Sequence, residues 1–331
     1  MEIKWINVVK GIGIIFVIWG HLGVPLFLEK YIYSFHMPLF FCISGYLSKD
    51  KPFIQHIKNK FKSLIIPYMF FAVVSAFIQF LLQYISGDNQ SVLKILSDLF
   101  FINGSVGWNS PLWFLICLFI VESLFFTFKE IVNKYLLFIC VFILFPAIGY
   151  LLILVNYRLS FGLDIALIGL TFYALGYWIK KNRILDYIYM SKFNISILFL
   201  INTVFGILLN ERISLYHFYF GNFVYFYISA IAGILFWMMI SKNIGISKIL
   251  EYYGQNTLLI LSTQYMLFLA FRIISMRLFS FNYVDMISIS MSICFTIFTL
   301  IIYIPIIFIF NKYFSFIVRK NVELKNVGLQ S

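Results

Sequence analysis

Ten stretches of this chain run for about 20 residues with almost no charge, and such stretches have few ways to fold. At 1.5 Å per residue a helix of that length crosses a hydrocarbon layer. The runs fall at 5–25, 31–48, 64–86, 110–129, 135–155, 162–179, 193–209, 221–241, 257–275 and 286–311. A closed β-barrel also spans membranes, but its strands of about 10 residues alternate apolar and polar side chains, whereas these runs are continuous. Only 11% of residues are charged and 62% are hydrophobic, against about 25% charged in soluble domains. The expectation is an all-α polytopic membrane protein with ten transmembrane helices. No repeat of fixed period and no Pro/Gly/Ser linker interrupts it, so 1–331 reads as one membrane-embedded domain with no soluble domain at either end.

Orientation follows from the basic residues. An even number of spans puts both termini on one side. If that side is cytoplasmic, nineteen of the 25 Lys and Arg face inward, leaving Lys30, Lys94, Arg158, Arg212, Arg272 and Arg277 outside. This is the positive-inside pattern, and both termini are expected in the cytoplasm. The net charge of +12 is then mostly a cytoplasmic excess facing anionic lipid headgroups, with no nucleic-acid partner implied. Lys10 interrupts the first run and no small-residue cleavage site follows, so that run reads as a retained span. Cys42, Cys117, Cys140 and Cys294 lie within apolar runs without C-x-x-C or ligand spacing. They indicate neither a disulfide framework nor a metal site and read as small core residues. The outer segment 87–109 is the longest external loop, and its short apolar run fits a surface position or a dip back into the membrane.

Polar groups inside such spans carry the functional signal, because an ionisable side chain in hydrocarbon costs about 2.5–3.5 kcal/mol on insertion scales. Residues 4–47 hold Lys10, His21 and His36. With the external turn centred near residue 28 or 29, both histidines lie at similar depth in the outer half of the bilayer. Lys10 is about 16 Å deeper on the face of His21, since eleven residues make about three turns. Asn109 and Trp113 open the fourth run from outside, Asp164 opens the sixth, Arg272 sits near the outer end of the ninth, and Glu122 and Gln264 lie deeper. Asp164 has the depth of a carboxylate that orients an imidazole. Each of these has an ordinary alternative. A buried histidine is often satisfied by a backbone carbonyl, Lys10 can snorkel to headgroups, and Trp113 fits an interfacial anchor as well as a sugar platform.

The segment SFHMPLFFCISGYL, preceded by a basic residue eleven before a first-span histidine, resembles the acyltransferase-3 family of integral membrane acyltransferases. PLWFLICLF, LDIALIGLTFYALGYWIKK and YYGQNTLLILSTQY are similar to further landmarks of its sugar O-acetyltransferase branch, and the likeness covers nearly the whole chain. The resemblance implies transfer of an acetyl or other short acyl group from cytoplasmic acyl-coenzyme A to a hydroxyl of a cell-surface or lipid-linked glycan. It implies a plasma-membrane location, with the glycan, the coenzyme and lipid as partners. His21 matches the family's essential first-span histidine, and Lys10 stands where Arg is usual. The family's R-x-x-R before the third span falls on Lys60 and Ser63, with Lys58 and Lys62 beside them, and Gln264 stands where many relatives have histidine.

The chemistry needs a base for the hydroxyl, donors for a tetrahedral oxyanion and cations for the coenzyme's phosphates. His21 is the expected base, with His36 and Asp164 in the catalytic group. Lys10, Lys58, Lys60 and Lys62 are expected on the acetyl-CoA side, and Asn109, Trp113, Glu122 and Arg272 on the acceptor side, with no metal ligand. Direct transfer and a route through an acyl-histidine both fit. The rival reading is a transporter or exporter of glycan precursors, in which the intramembrane His, Asp and Glu relay protons without bond chemistry.

Overall fold

The computed structural model describes residues 4–86, 97, 107–187, 191–279 and 288–318. Nearly all of segment 87–109, expected as an external loop, and the last of the C-terminal basic residues lie outside that range. Among the described residues the structure is helical apart from isolated bridge positions, at Asn109 and in the pair Ser214 with Tyr219. The principal helices are α1 (Lys4–Gly20), α2 (Leu26–Leu47), α3 (Phe53–Ile85, continuous through a π turn at Phe61–Ile65), α4 (Ser110–Ile131), α5 (Lys134–Leu154), α6 (Ser160–Lys181), α7 (Lys192–Leu208), α8 (Phe223–Ile244), α9 (Lys248–Gly254), α10 (Thr257–Arg277) and α11 (Ile289–Tyr313).

Among the described residues seven helices (α3, α4, α5, α6, α8, α10 and α11) are long and apolar enough to cross a membrane. Helices α1, α2 and α7 occupy the remaining expected runs. They miss that standard because α1 has 17 residues, α7 is a shorter apolar helix, and α2 carries Glu29, Lys30 and His36.

Two boundaries differ from expectation. The first hairpin turns at His21–Pro25, where Gly23 takes φ +70°, and α2 starts at Leu26 instead of 31. The third helix starts at Phe53, eleven residues early, because FIQHIKNK is itself helical and runs through the π turn into the membrane segment. Elsewhere side-chain caps set the starts. Asn133, Ser191, Asn222, Ser247 and Ser288 each accept a hydrogen bond from a first-turn N–H of α5, α7, α8, α9 and α11, which satisfies donors that no intrahelical carbonyl reaches.

Small residues decide which helices touch. A Cβ on Gly45 of α2 would stand 1.9 Å from the Tyr173 carbonyl oxygen, and one on Gly176 of α6 would stand 1.8 Å from that of Cys42, so α2 and α6 pack backbone against backbone. The pair Gly11 on α1 and Gly254 on α9 does the same, at 2.1 Å from Leu250 O and 1.9 Å from Asn7 O. Lipid is as apolar as a leucine side chain, so such close approach, rather than hydrophobic burial, is what joins helices in a bilayer. Helix α6 is the centre of the bundle, with 78% of its apolar window buried, whereas α11 has 22%. On α11 the stripe Ile293, Ile297, Ile301, Ile304 and Phe308 is exposed at helical spacing, a lipid-facing surface. Cys42, Cys117 and Cys140 are core residues as expected, and Cys294 is exposed on α11. At the end of α2, Asp50 accepts from Lys129 of α4 and from the Tyr177 hydroxyl of α6, and the hydrogen bond from Lys129 holds its carboxyl below the usual carboxylate range.

Candidate active site

Three partly open cavities among the described residues share walls in sequence. The first, named the outer chamber after the orientation expected from the basic residues, is about 180 Å³ and is lined by His21, His36, Tyr33, Trp113, Arg212 and Tyr265 among others. The inner chamber, about 300 Å³, is lined by Lys10, Ser44, Lys60, Ser63, Glu122 and Gln255 over an apolar floor. Leu261 belongs to both. A vestibule of about 330 Å³ holds Lys49, Lys51, His56 and Asn59, and shares Leu47, Lys60 and Ser63 with the inner chamber.

His21 lies just past the last turn of α1. Its backbone N–H bonds to Ile18 O at 3.2 Å, so the Val17 carbonyl loses the helical partner four residues on. The imidazole takes that place, with Nδ1 at 2.6 Å from Val17 O. A carbonyl only accepts, so Nδ1 carries the proton and Nε2 is left with the lone pair in the neutral ring. His36 repeats the arrangement one helix away, its Nδ1 at 2.8 Å from Ile32 O. The Tyr33 ring stands between the two, with centroids 6.1 Å from His21 and 4.9 Å from His36, and Tyr265 meets His21 edge-on at 5.2 Å.

Asp164 does not orient either imidazole; a carbonyl of each histidine's own helix does. Its buried carboxylate accepts from Arg158 Nε, from Ile165 N at 2.8 Å and from Leu159 N at 3.4 Å. The cause is local, since Arg158 arrives six residues earlier through a left-handed turn at Phe161 and Gly162. Arg158 in turn donates through Nη1 to Tyr216 O at 3.3 Å and lies over the Phe218 ring at 4.9 Å. Asp164 therefore fixes the 213–220 loop from behind.

Glu122 is likewise displaced from the acceptor side. It is buried in the wall of the inner chamber, 2.9 Å from Lys60 Nζ and 3.3 Å from His56 Nε2, and the His56 ring stacks on Phe126 at 3.7 Å. Nine residues beyond Trp113 on one helix is about 13 Å of descent, which takes it out of the outer chamber. Asn109 is also structural. It is buried, and its amide donates to Ser75 Oγ at 2.8 Å and Ser262 O at 3.1 Å, tying α3 to α10. Arg272 is exposed, as are Lys58 and Lys62, and none of them lines the three cavities. Lys10, Lys60 and Ser63 do come together, and Trp113 is buried in the outer wall. Gln264 is wholly buried on α10.

Sequence reasoning missed His56, Tyr33, Arg212, Tyr216, His217 and Tyr265. His56, Lys60 and Ser63 recur at intervals of four and three residues, the spacing of one helical face, and that pattern within a basic linker was the available signal. The loop residues had none, because their place in the wall depends on a contact with Arg158 far away in the chain.

A bundle of apolar helices with polar cavities through its interior defines an integral membrane protein with an internal site. Residues 3–312 match the model of the acyltransferase-3 family, described as an acyltransferase domain, and the chain belongs to that family of membrane acyltransferases. Comparison with curated proteins returns no match, and comparison with solved structures returns none either.

Proposed function

We propose that the protein moves an acetyl or other short acyl group from cytoplasmic acyl-coenzyme A to a hydroxyl of a cell-surface or lipid-linked glycan at the plasma membrane, with His21 as general base. The observation that carries this reading is the His21 imidazole. Its Nδ1 is committed to Val17 O while the side chain lines the outer chamber, so Nε2 is the nitrogen open to a substrate proton.

The acceptor hydroxyl gives its proton to Nε2 as its oxygen attacks the thioester carbonyl. The tetrahedral oxyanion collapses, and the departing thiolate takes the proton from the imidazolium. In the neutral ring His36 also presents a lone pair at Nε2, so it suits accepting a second acceptor hydroxyl better than stabilising an oxyanion. Tyr33 and Tyr265, whose rings meet His21 edge-on and line the same chamber, supply hydroxyl donors for the oxyanion in this scheme.

The donor side is chemically suited to a polyanionic coenzyme. Lys49 and Lys51 in the vestibule and Lys60 and Lys10 beyond it line a basic route. Glu122 is the acidic group in that wall, and Lys60 and His56 face it. The pantetheine arm would carry the thioester past Lys10 toward Leu261, and ten spans with both termini cytoplasmic would give the coenzyme and the glycan opposite sides.

Purified protein in detergent with radiolabelled acetyl-coenzyme A and an oligosaccharide tests this. Loss of a general base lowers rates by about 10²–10⁴-fold, and His21→Ala is expected to fall in that range with binding of the coenzyme retained. Undiminished transfer by the variant removes the mechanism. No coenzyme binding by the wild type favours a transporter of glycan precursors instead.

A further inference from the structure

One permanent cation among the described residues faces the outer chamber. Its described wall contains Arg212 and three imidazoles, His21, His36 and His217, and no carboxylate. Arg212 and His217 sit on a loop with its own framework. Ser214 and Tyr219 exchange backbone hydrogen bonds at 2.7 and 2.9 Å. The Asn210 amide donates to Phe220 O at 3.2 Å and Asn222 O at 3.3 Å, and its carbonyl accepts from Glu211 N and Asn222 N at 2.9 and 2.7 Å. Arg158, held by Asp164, grips the loop at Tyr216 and Phe218. The loop is thus built before any substrate arrives.

Arg212 meets Glu29 of α2 through Nη2 at 2.6 Å. That contact engages one edge of a guanidinium with five N–H donors, and the Arg212 side chain remains 58% exposed against 17% for Glu29. The rest of the fork is free to meet a second carboxylate or a phosphate in paired geometry. A neutral sugar would leave the open edge of this guanidinium unused, whereas a second anion can pair with it in fork geometry beside Glu29, the carboxylate already on its other edge.

We propose that Arg212 selects an acidic acceptor: a sugar whose reacting hydroxyl lies close to an anionic group, either a uronic-acid carboxylate or a phosphate. This rests on the acyl-transfer reading above and adds the acceptor class to it. Glu29 is the resident counter-ion, and the acceptor's anion joins it on Arg212.

The test compares acetyl transfer to methyl glucoside, methyl glucuronoside and methyl glucoside 6-phosphate. The readout is the ratio of kcat/KM for each anionic probe to the neutral one in a single preparation, so partial misfolding cancels. The wild type is expected to favour at least one anionic probe by tenfold or more, and the two anionic arms separate carboxylate from phosphate. Arg212→Gln is expected to bring the ratio near one, and Glu29→Gln to raise it. A wild-type ratio near one, or an Arg212→Gln variant that keeps the ratio, overturns the proposal. Equilibrium dialysis of the same probes separates the two readings. No His21-dependent transfer to any probe, with Arg212-dependent retention of an anionic probe, refutes acyl transfer and supports the selector. Transfer to all three without preference does the reverse.

Discussion

Replacing Lys60 by Met should cost far more stability than replacing its partner Glu122 by Met, and replacing both should cost little. Glu122 is buried to 1% exposure in its side chain, with Lys60 Nζ at 2.9 Å and His56 Nε2 at 3.3 Å. Removing one member of a buried pair costs about 3–5 kcal/mol, because the remaining charge is stranded. In Lys60→Met the carboxylate keeps the His56 imidazole at 3.3 Å, and Lys60 retains 28% exposure, so water already screens part of the interaction; the lower figure of about 3 kcal/mol applies. In Glu122→Met the surviving lysine swings toward the vestibule it already lines and hydrates its ammonium, limiting the loss to about 1 kcal/mol. The double variant removes both charges and leaves apolar stems, so it should lie within about 1 kcal/mol of wild type. At roughly 2 °C per kcal/mol for a chain of this size, thermal unfolding in detergent should read drops of about 6, 2 and less than 2 °C. Equal drops for the two single variants, or a double variant as unstable as their sum, would show that the pair is not a desolvated unit and would refute the reasoning.

Asp164→Asn should weaken the charge that holds Arg158 against the 213–220 loop. The expected result is a several-fold rise in KM for the acceptor with the KM for acetyl-coenzyme A unchanged, since the loop borders only the outer chamber, and steady-state kinetics with each substrate varied separates the two. Gly176→Val should destabilise by at least about 1–3 kcal/mol, the range for overpacking, because its Cβ would fall 1.8 Å from the Cys42 carbonyl oxygen, which cannot rotate away; thermal unfolding in detergent reads it. His36→Asn, whose amide still accepts a hydrogen bond, should retain more acceptor affinity than His36→Leu, and acceptor KM measured on both variants checks this.

The helices were legible because lipid demands continuous apolar runs, and those runs show in a single sequence. The hairpin turn was legible too, in Gly23 followed by Pro25, a helix stop and a helix start close together; counting from hydropathy alone placed it several residues late. Helical spacing put Lys10 and His21 on one face, where one groove could hold both, but the structure gives them separate cavities, Lys10 in the inner and His21 in the outer. The partners of Asp164 and Glu122 did not follow, because depth along an axis says nothing about which helices are neighbours. That order is set by glycine contacts such as Gly45 with Gly176, and a lone glycine in a sequence does not name the backbone it will touch. The 213–220 loop was the least legible part, since its shape comes from Arg158 and Asn210 reaching across non-adjacent segments.

The central claim is that one imidazole on the first helix is reached by thioester from the cytoplasmic vestibule and by alcohol from the outer chamber. Proteoliposomes of uniform orientation, with radiolabelled acetyl-coenzyme A on the side of Lys49 and Lys51 and the acceptor oligosaccharide on the other, measure this directly. Label is expected on the acceptor across the sealed membrane, and His21→Ala is expected to abolish it. Transfer only when both substrates share one side, or label crossing equally in the variant, would contradict it.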